Sequence, residues 1–86
     1  MVKYKLEFKK TATKELNSLL NKEIKKILNS IEQLIENPRP INSKKLSASE
    51  RYRIGVGDYR ILYEIKDLIL IIYIIKIAHR KDVYRD

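Results

Sequence analysis

The stretch RYRIGVGDYRILYEI, residues 51–65, decides the fold. Gly57-Asp58 is a two-residue turn signal between two runs rich in Ile, Val and Tyr, which reads as a β-hairpin. With the turn placed there, Val56 pairs with Tyr59 and Gly55 with Arg60, and alternate residues share a face. Tyr52, Ile54, Val56, Tyr59, Ile61, Tyr63 and Ile65 fall on a side fit to be covered. Arg51, Arg53, Gly55, Arg60, Leu62 and Glu64 fall on the other.

Downstream, LILIIYIIKI at 68–77 reads as a third strand after a Lys66-Asp67 turn. It is apolar on both faces, which suits the middle of a sheet. Upstream, PRPINSKKLSASE at 38–50 is a loop by composition. Ser47 and Glu50 have capping-box spacing, but no helical pattern follows them. Further back, Ala12, Leu16, Leu19, Leu20, Ile24, Ile27, Leu28, Ile31, Leu34 and Ile35 recur at helical spacing. A break near Asn21 gives two antiparallel helices, about 11–20 and 22–36, with one continuous helix as the alternative. Thr11 or Thr13 is the expected N-cap, and Asn37-Pro38 ends the pattern. VKYKLEF at 2–8 alternates strictly, as a strand with one wet face does.

The expected fold is therefore α+β, a compact single domain over residues 1–86. An N-terminal strand, a two-helix hairpin and an antiparallel three-stranded meander form a small twisted sheet, with the helices on one face. The arginines stand on the face left open.

Composition narrows the chemistry. The absence of cysteine excludes disulfides and thiolate metal sites, and a single histidine makes a histidine-built metal site poor chemistry. The apolar run at 68–77 is too short to span a bilayer, and lysines within Val2–Phe8 argue against a signal peptide, so a cytoplasmic location is expected. The net charge is +8, concentrated between 38 and 60, where Arg39, Lys44, Lys45, Arg51, Arg53 and Arg60 face only Glu50 and Asp58. Such a patch favours a polyanion or an acidic protein, the plainer reading being a solubilising surface.

Arg53 and Arg60 are diagonal neighbours whose like charges repel, and Gly55 clears space beside them. Two guanidiniums around a hollow make a phosphate seat, since each can fork onto two oxygens. Solvated arginines on an exposed strand are the bland alternative. After the last strand come His79, Arg80, Lys81 and Tyr84. An imidazole titrates near neutrality, with an unperturbed pKa of about 6.5. Taken singly, His79 is a surface residue and Tyr84 a docking residue. Together, a phosphate clamp, a proton carrier and an aromatic face are what cutting RNA requires.

The blocks YRIGVGDYRILYEI and IIKIAHRKDVY, with the ENPRP exit from the helices, resemble the RelE branch of the RelE/ParE toxin superfamily over the whole chain. The resemblance implies a RelE-like microbial RNase fold and the toxin of a type II toxin–antitoxin system. It implies a ribosome-dependent endoribonuclease that cuts A-site messenger without metal or other cofactor and is held inactive by a RelB-type antitoxin. Arg60 matches the arginine that grips the scissile phosphate, and Arg53 a basic position that activates the 2′-hydroxyl or stabilises charge. Arg80 matches the tail arginine that protonates the leaving 5′-oxygen, and Tyr84 the tyrosine that orients substrate. His79 stands where relatives carry histidine or another basic residue, and is a candidate acid or base. Lys44, Lys45, Arg51 and Lys81 are expected along the RNA path. One departure is Gly55, where the best-known member has a second lysine. An acidic amphipathic antitoxin that wraps the chain and blocks or displaces the tail would suit the charge. Two rivals stay open at this point: a ParE-like inhibitor of DNA gyrase, which generally lacks the tail set, and a non-catalytic RNA- or ribosome-binding module.

Overall fold

Isoleucines from the hairpin and the strand after it set the centre of the protein. Ile54, Ile61, Tyr63, Ile65, Ile72, Ile74 and Ile77 are buried in one cluster with Ala12, Leu16, Ile27, Ile31 and Leu34. Each such aliphatic side chain contributes about 1.5–3 kcal/mol on leaving water. A computed structural model of the chain describes residues 3–46 and 50–82. Val2, the Ser47–Ser49 part of the capping-box pattern and Tyr84 lie outside the described residues.

The elements run β1 (Lys5–Phe8), α1 (Lys10–Asn17), α2 (Asn21–Gln33), β2 (Lys44–Lys45), β3 (Arg51–Val56), β4 (Tyr59–Lys66), β5 (Ile71–His79) and a 3-10 turn, Arg80–Asp82. Strand order is β1-β5-β4-β3-β2. β1 is parallel to β5 and the other neighbours are antiparallel, so this is an α+β fold with a five-stranded mixed sheet. α1 packs on β5 and α2 on β3. Among the described residues, no helix is long and apolar enough to cross a membrane.

The β3–β4 register is the one the sequence implies, from Arg51↔Glu64 to Val56↔Tyr59. Gly57 takes φ +58° and Asp58 does not, the pattern of a type II′ turn that suits the right-handed twist of the strands. β5 differs from expectation. It begins at Ile71, not at residue 68, because 67–70 form a longer turn with Leu70 at φ 55°. The Leu70 carbonyl accepts the Lys5 N–H at 2.8 Å, which starts the parallel pairing with β1. β5 also carries a bulge: Leu62 pairs with Lys76 but Tyr63 with Ile74, so Ile75 is the extra residue. The bulge takes Lys76 out of the core phase and puts Ile77 into it.

Three further expectations are corrected. The stretch 38–50 is not all loop, since Lys44–Lys45 pair with Arg53 and Tyr52 as an edge strand. Neither Thr11 nor Thr13 caps α1: Lys9 does, with no side-chain bond, because its own N–H is taken by the Ile74 carbonyl at 2.9 Å as the chain leaves the sheet. α2 closes at Gln33, and Leu34 and Ile35 then make tight i→i−3 bonds to Ile31 and Glu32. The break between the helices spans Ser18–Leu20, which rules out one continuous helix.

Where β1 ends, the outer edge of β5 would be bare. Glu15 on α1 covers it, accepting the Ile77 N–H at 3.0 Å and the Lys76 ammonium at 2.9 Å. At the other end of the sheet, Arg39 bonds Asp67 (Nη2–Oδ2, 2.8 Å) and the Tyr52 hydroxyl (3.0 Å), while the Tyr4 hydroxyl donates to Asp67 (2.6 Å). This network ties the loop after α2 to β3, β1 and the β4–β5 turn.

The Arg39 guanidinium first, then the Tyr4 hydroxyl, holds the Asp67 carboxyl below its usual range. A carboxylate with a depressed folded pKa supplies stability above its unfolded value, about 3.9, and loses it as pH falls through the folded value. Asp67 is half exposed, so screening limits the term to about 1 kcal/mol. Asp67→Asn is expected to lower Tm slightly at neutral pH and to shrink the loss of Tm between about pH 5 and pH 2. Parallel Tm–pH profiles for the two proteins would contradict this.

Candidate active site

Strand alternation sends Arg53 and Arg60 to the face away from the helices, since Ile54 and Ile61 beside them are buried. β2 adds Lys44, whose register partner is Arg53. Asn42, Lys44, Arg53, Gly55 and Arg60 line an open hollow of about 320 Å³. Among the described residues no carboxylate pairs with Lys44, Arg53 or Arg60; the nearby Glu64 lies 4.0 Å from Lys66. Three like charges are thus held together by the sheet with no ion-pair partner among the described residues, which raises the local potential toward an anion. Arg60 is fixed: its Nη1 donates to the Gly57 carbonyl at 3.1 Å and the Tyr59 carbonyl at 2.9 Å.

The other residues singled out in the sequence are placed differently. His79 pairs with Tyr59, so it lies on the helix-side face, while Arg60 pairs with Ala78. The two are neighbours along the sheet and point to opposite faces, which corrects the expectation that all the candidate catalytic groups share one spot. His79 meets Tyr59 edge-on at 5.4 Å and borders a second cleft of about 300 Å³ with Glu15, Ser18 and Asp82. Its Nδ1 accepts the Lys81 N–H at 3.2 Å, which ties the ring to the start of the 3-10 turn. Arg80 sits at the hairpin tip: its N–H donates to the Asp58 carbonyl at 2.7 Å and its Nε is 3.7 Å from the Asp58 carboxylate. Arg51 is exposed opposite Glu64, Lys45 is exposed on β2 opposite Tyr52, and Lys81 is exposed in the 3-10 turn.

Asn42 and Asp58 were not singled out by sequence reasoning. Asn42 brings an amide to the hollow, and Asp58 anchors the start of the tail. No local pattern marks Asn42, and the turn signal at Asp58 says nothing of the tail that it holds; both roles depend on pairings distant in sequence. Among the described residues no group of three or more His, Cys, Asp or Glu is placed to hold a metal.

Chemically, the hollow supplies charge and donors. Arginine and lysine are protonated near neutrality and accept no proton in that state. They stabilise a crowded dianion more than the monoanion that precedes it, which is how such a site would lower a phosphoryl-transfer barrier.

Known proteins resemble the chain in sequence and in fold. The family model of the ParE toxin of type II toxin–antitoxin systems matches residues 6–84. RelE1 of Methanocaldococcus jannaschii is 33% identical over 89 residues, covering 99% of each chain. The archaeal RelE–RelB complex from Pyrococcus horikoshii contains a chain of the same fold, with TM-score 0.80 and 25% identity over 96% of this chain and 100% of that one. The RelB–RelE complex from Methanococcus jannaschii gives TM-score 0.70 and 32% identity over 90% and 93%. The isolated RelE toxin of Escherichia coli shares the fold with TM-score 0.81 at 22% identity, over 96% and 87%. Matched along its length in sequence and in fold, the chain belongs to the RelE/ParE superfamily of type II toxin–antitoxin toxins, in its RelE branch.

Proposed function

We propose that this toxin is a cytoplasmic, ribosome-dependent mRNA endoribonuclease acting in the A site. The observation that carries the reading is the hollow in which Lys44, Arg53 and Arg60 converge, with no carboxylate paired to them among the described residues. A phosphodiester there would be gripped by Arg60 and flanked by the other two cations. The ribose 2′-oxygen attacks phosphorus as its hydroxyl proton departs to a base. The bond from phosphorus to the 5′-oxygen breaks, and that oxygen takes up a proton. The products are a 2′,3′-cyclic phosphate, or a 3′-phosphate once water opens the ring, and a 5′-hydroxyl end. Resemblance gives the proton donation to Arg80, which the hairpin tip holds beside the turn.

Purified toxin added to ribosomes with an occupied A-site codon is expected to cut the messenger and leave those ends. A single 2′-deoxy nucleotide on the 5′ side of the cut should abolish cleavage, because the nucleophile is missing. Intact messenger would contradict the reading. DNA-damage signalling in cells with intact transcripts would point to gyrase instead.

A RelB-type antitoxin is the proposed partner. Relatives crystallise as RelE–RelB complexes, and the +8 charge favours an acidic ligand. Leu68 and Ile69 stand exposed side by side at the end of the sheet away from the hollow, which suits a protein that wraps the molecule. Hydrogen exchange should slow in the helices on complex formation; unchanged rates there would sink this part.

A further inference from the structure

Gly55 has no conformational reason to be glycine. It lies in mid-strand, and Gly57 is the glycine with positive φ. A glycine in an extended strand weakens it. What glycine provides here is room. A Cβ built on Gly55 would fall 3.0 Å from Arg60 Nη1, 3.3 Å from Cζ and 3.6 Å from Nε. The guanidinium therefore lies on the bare Cα of its cross-strand partner, in the space a side chain would fill. From that position Nη1 spends its two hydrogens on the Gly57 and Tyr59 carbonyls, at 3.1 and 2.9 Å. Among the described residues the Nε and Nη2 hydrogens meet no acceptor, and they form the edge that forks onto two oxygens of a phosphate.

We infer that Gly55 is a positioning residue: it beds Arg60 flat on the hairpin so that its two-donor edge faces the hollow. The inference deepens the nuclease reading and rests on it. The site holds the Arg60 guanidinium in register where a longer basic residue at 55 would add a further, mobile cation. Adding a side chain at 55, even a lysine, therefore removes more than it adds. Alanine, meeting Nη1 at 3.0 Å, forces a small shift. Valine or lysine fills the bed and detaches Nη1 from both carbonyls.

The test uses the full chain and three readouts. Gly55→Val is expected to slow single-turnover cleavage on programmed ribosomes by about 10- to 100-fold, the scale of a displaced catalytic group. Its Tm should hold or rise, since valine favours a strand where glycine does not. A merely structural glycine would lower both. In an Arg60→Ala background the same substitution should cost nothing further. Gly55→Lys should lose activity also. The third readout does not need cleavage: the Arg60 Nε–H resonance, followed by NMR with added inorganic phosphate, should move in Gly55→Val and lose its phosphate response. Unchanged activity in Gly55→Val, an additive loss in the Arg60→Ala background, or an Arg60 resonance identical to wild type would each overturn the inference. Cleavage unaffected by Arg60→Ala would instead remove the nuclease reading, and the resonance comparison would still decide whether Gly55 sets the arginine.

Discussion

Arg60→Ala is expected to slow cleavage of ribosome-bound messenger by about 10²–10³-fold, roughly 2.7–4 kcal/mol of barrier, as removal of one preorganised charge stabiliser does elsewhere. The effect should fall on the single-turnover rate more than on half-saturation, because the guanidinium meets more charge in the transition state than in the diester. Arg60→Lys should recover only part of the loss, since an ammonium keeps the charge and not the fork. Folding should be untouched. Arg60 lies on the open face and, among the described residues, its bonds run only to carbonyls of its own hairpin. A loss below about fivefold with a normal Tm would take Arg60 out of the chemistry, being far short of the effect such donors have.

Tyr63→Ala is expected to cost about 3–5 kcal/mol of stability, the range for emptying a fully buried aromatic site. For a domain of this size that is a large share of a total of about 5–15 kcal/mol. Tyr63 is completely buried, stacks on Tyr52 at 5.9 Å and donates its hydroxyl to the Pro38 carbonyl at 2.7 Å. Burial pushes its phenol up to about 12, so it stays a donor at every working pH. The bond to Pro38 also starts the segment that carries Asn42 and Lys44 to the hollow. Tyr63→Phe keeps the ring and loses the bond, at about 1 kcal/mol. Urea unfolding of the three proteins separates the terms. Equal losses in Tyr63→Phe and Tyr63→Ala would place the energy in the hydrogen bond instead of the packing.

The hairpin was legible because two local signals agree: a Gly-Asp turn and strict alternation on both sides of it. They fix the register, and the register alone places Arg53 and Arg60 together on the open face. The rest depended on contacts distant in sequence. β2 is two residues long, too short for any periodicity, and exists because Lys44 and Lys45 find the β3 edge. The β4–β5 turn contains Leu-Ile-Leu and no glycine or proline, so nothing local marks a residue at φ 55°. Strict alternation from Ile72 through Ile74 would bury Lys76, and the bulge at Ile75 resolves that conflict in favour of Ile77. The longer turn and the bulge together carry β5 along until His79 lies opposite Tyr59. That is why the histidine faces the helices and not the hollow. Lys9 as a helix cap is likewise a sheet effect, set by its bond to Ile74.

The most direct measurement is a cryo-electron-microscopy structure of the toxin on a ribosome whose A-site codon carries 2′-O-methyl riboses, so that the linkage stays uncut. The expected result is one messenger phosphate on the open face of the sheet, bonded through two oxygens to Arg60 and within reach of Arg53 and Lys44. A messenger path that leaves this hollow empty and runs instead through the cleft beside Tyr59 and His79 would contradict it.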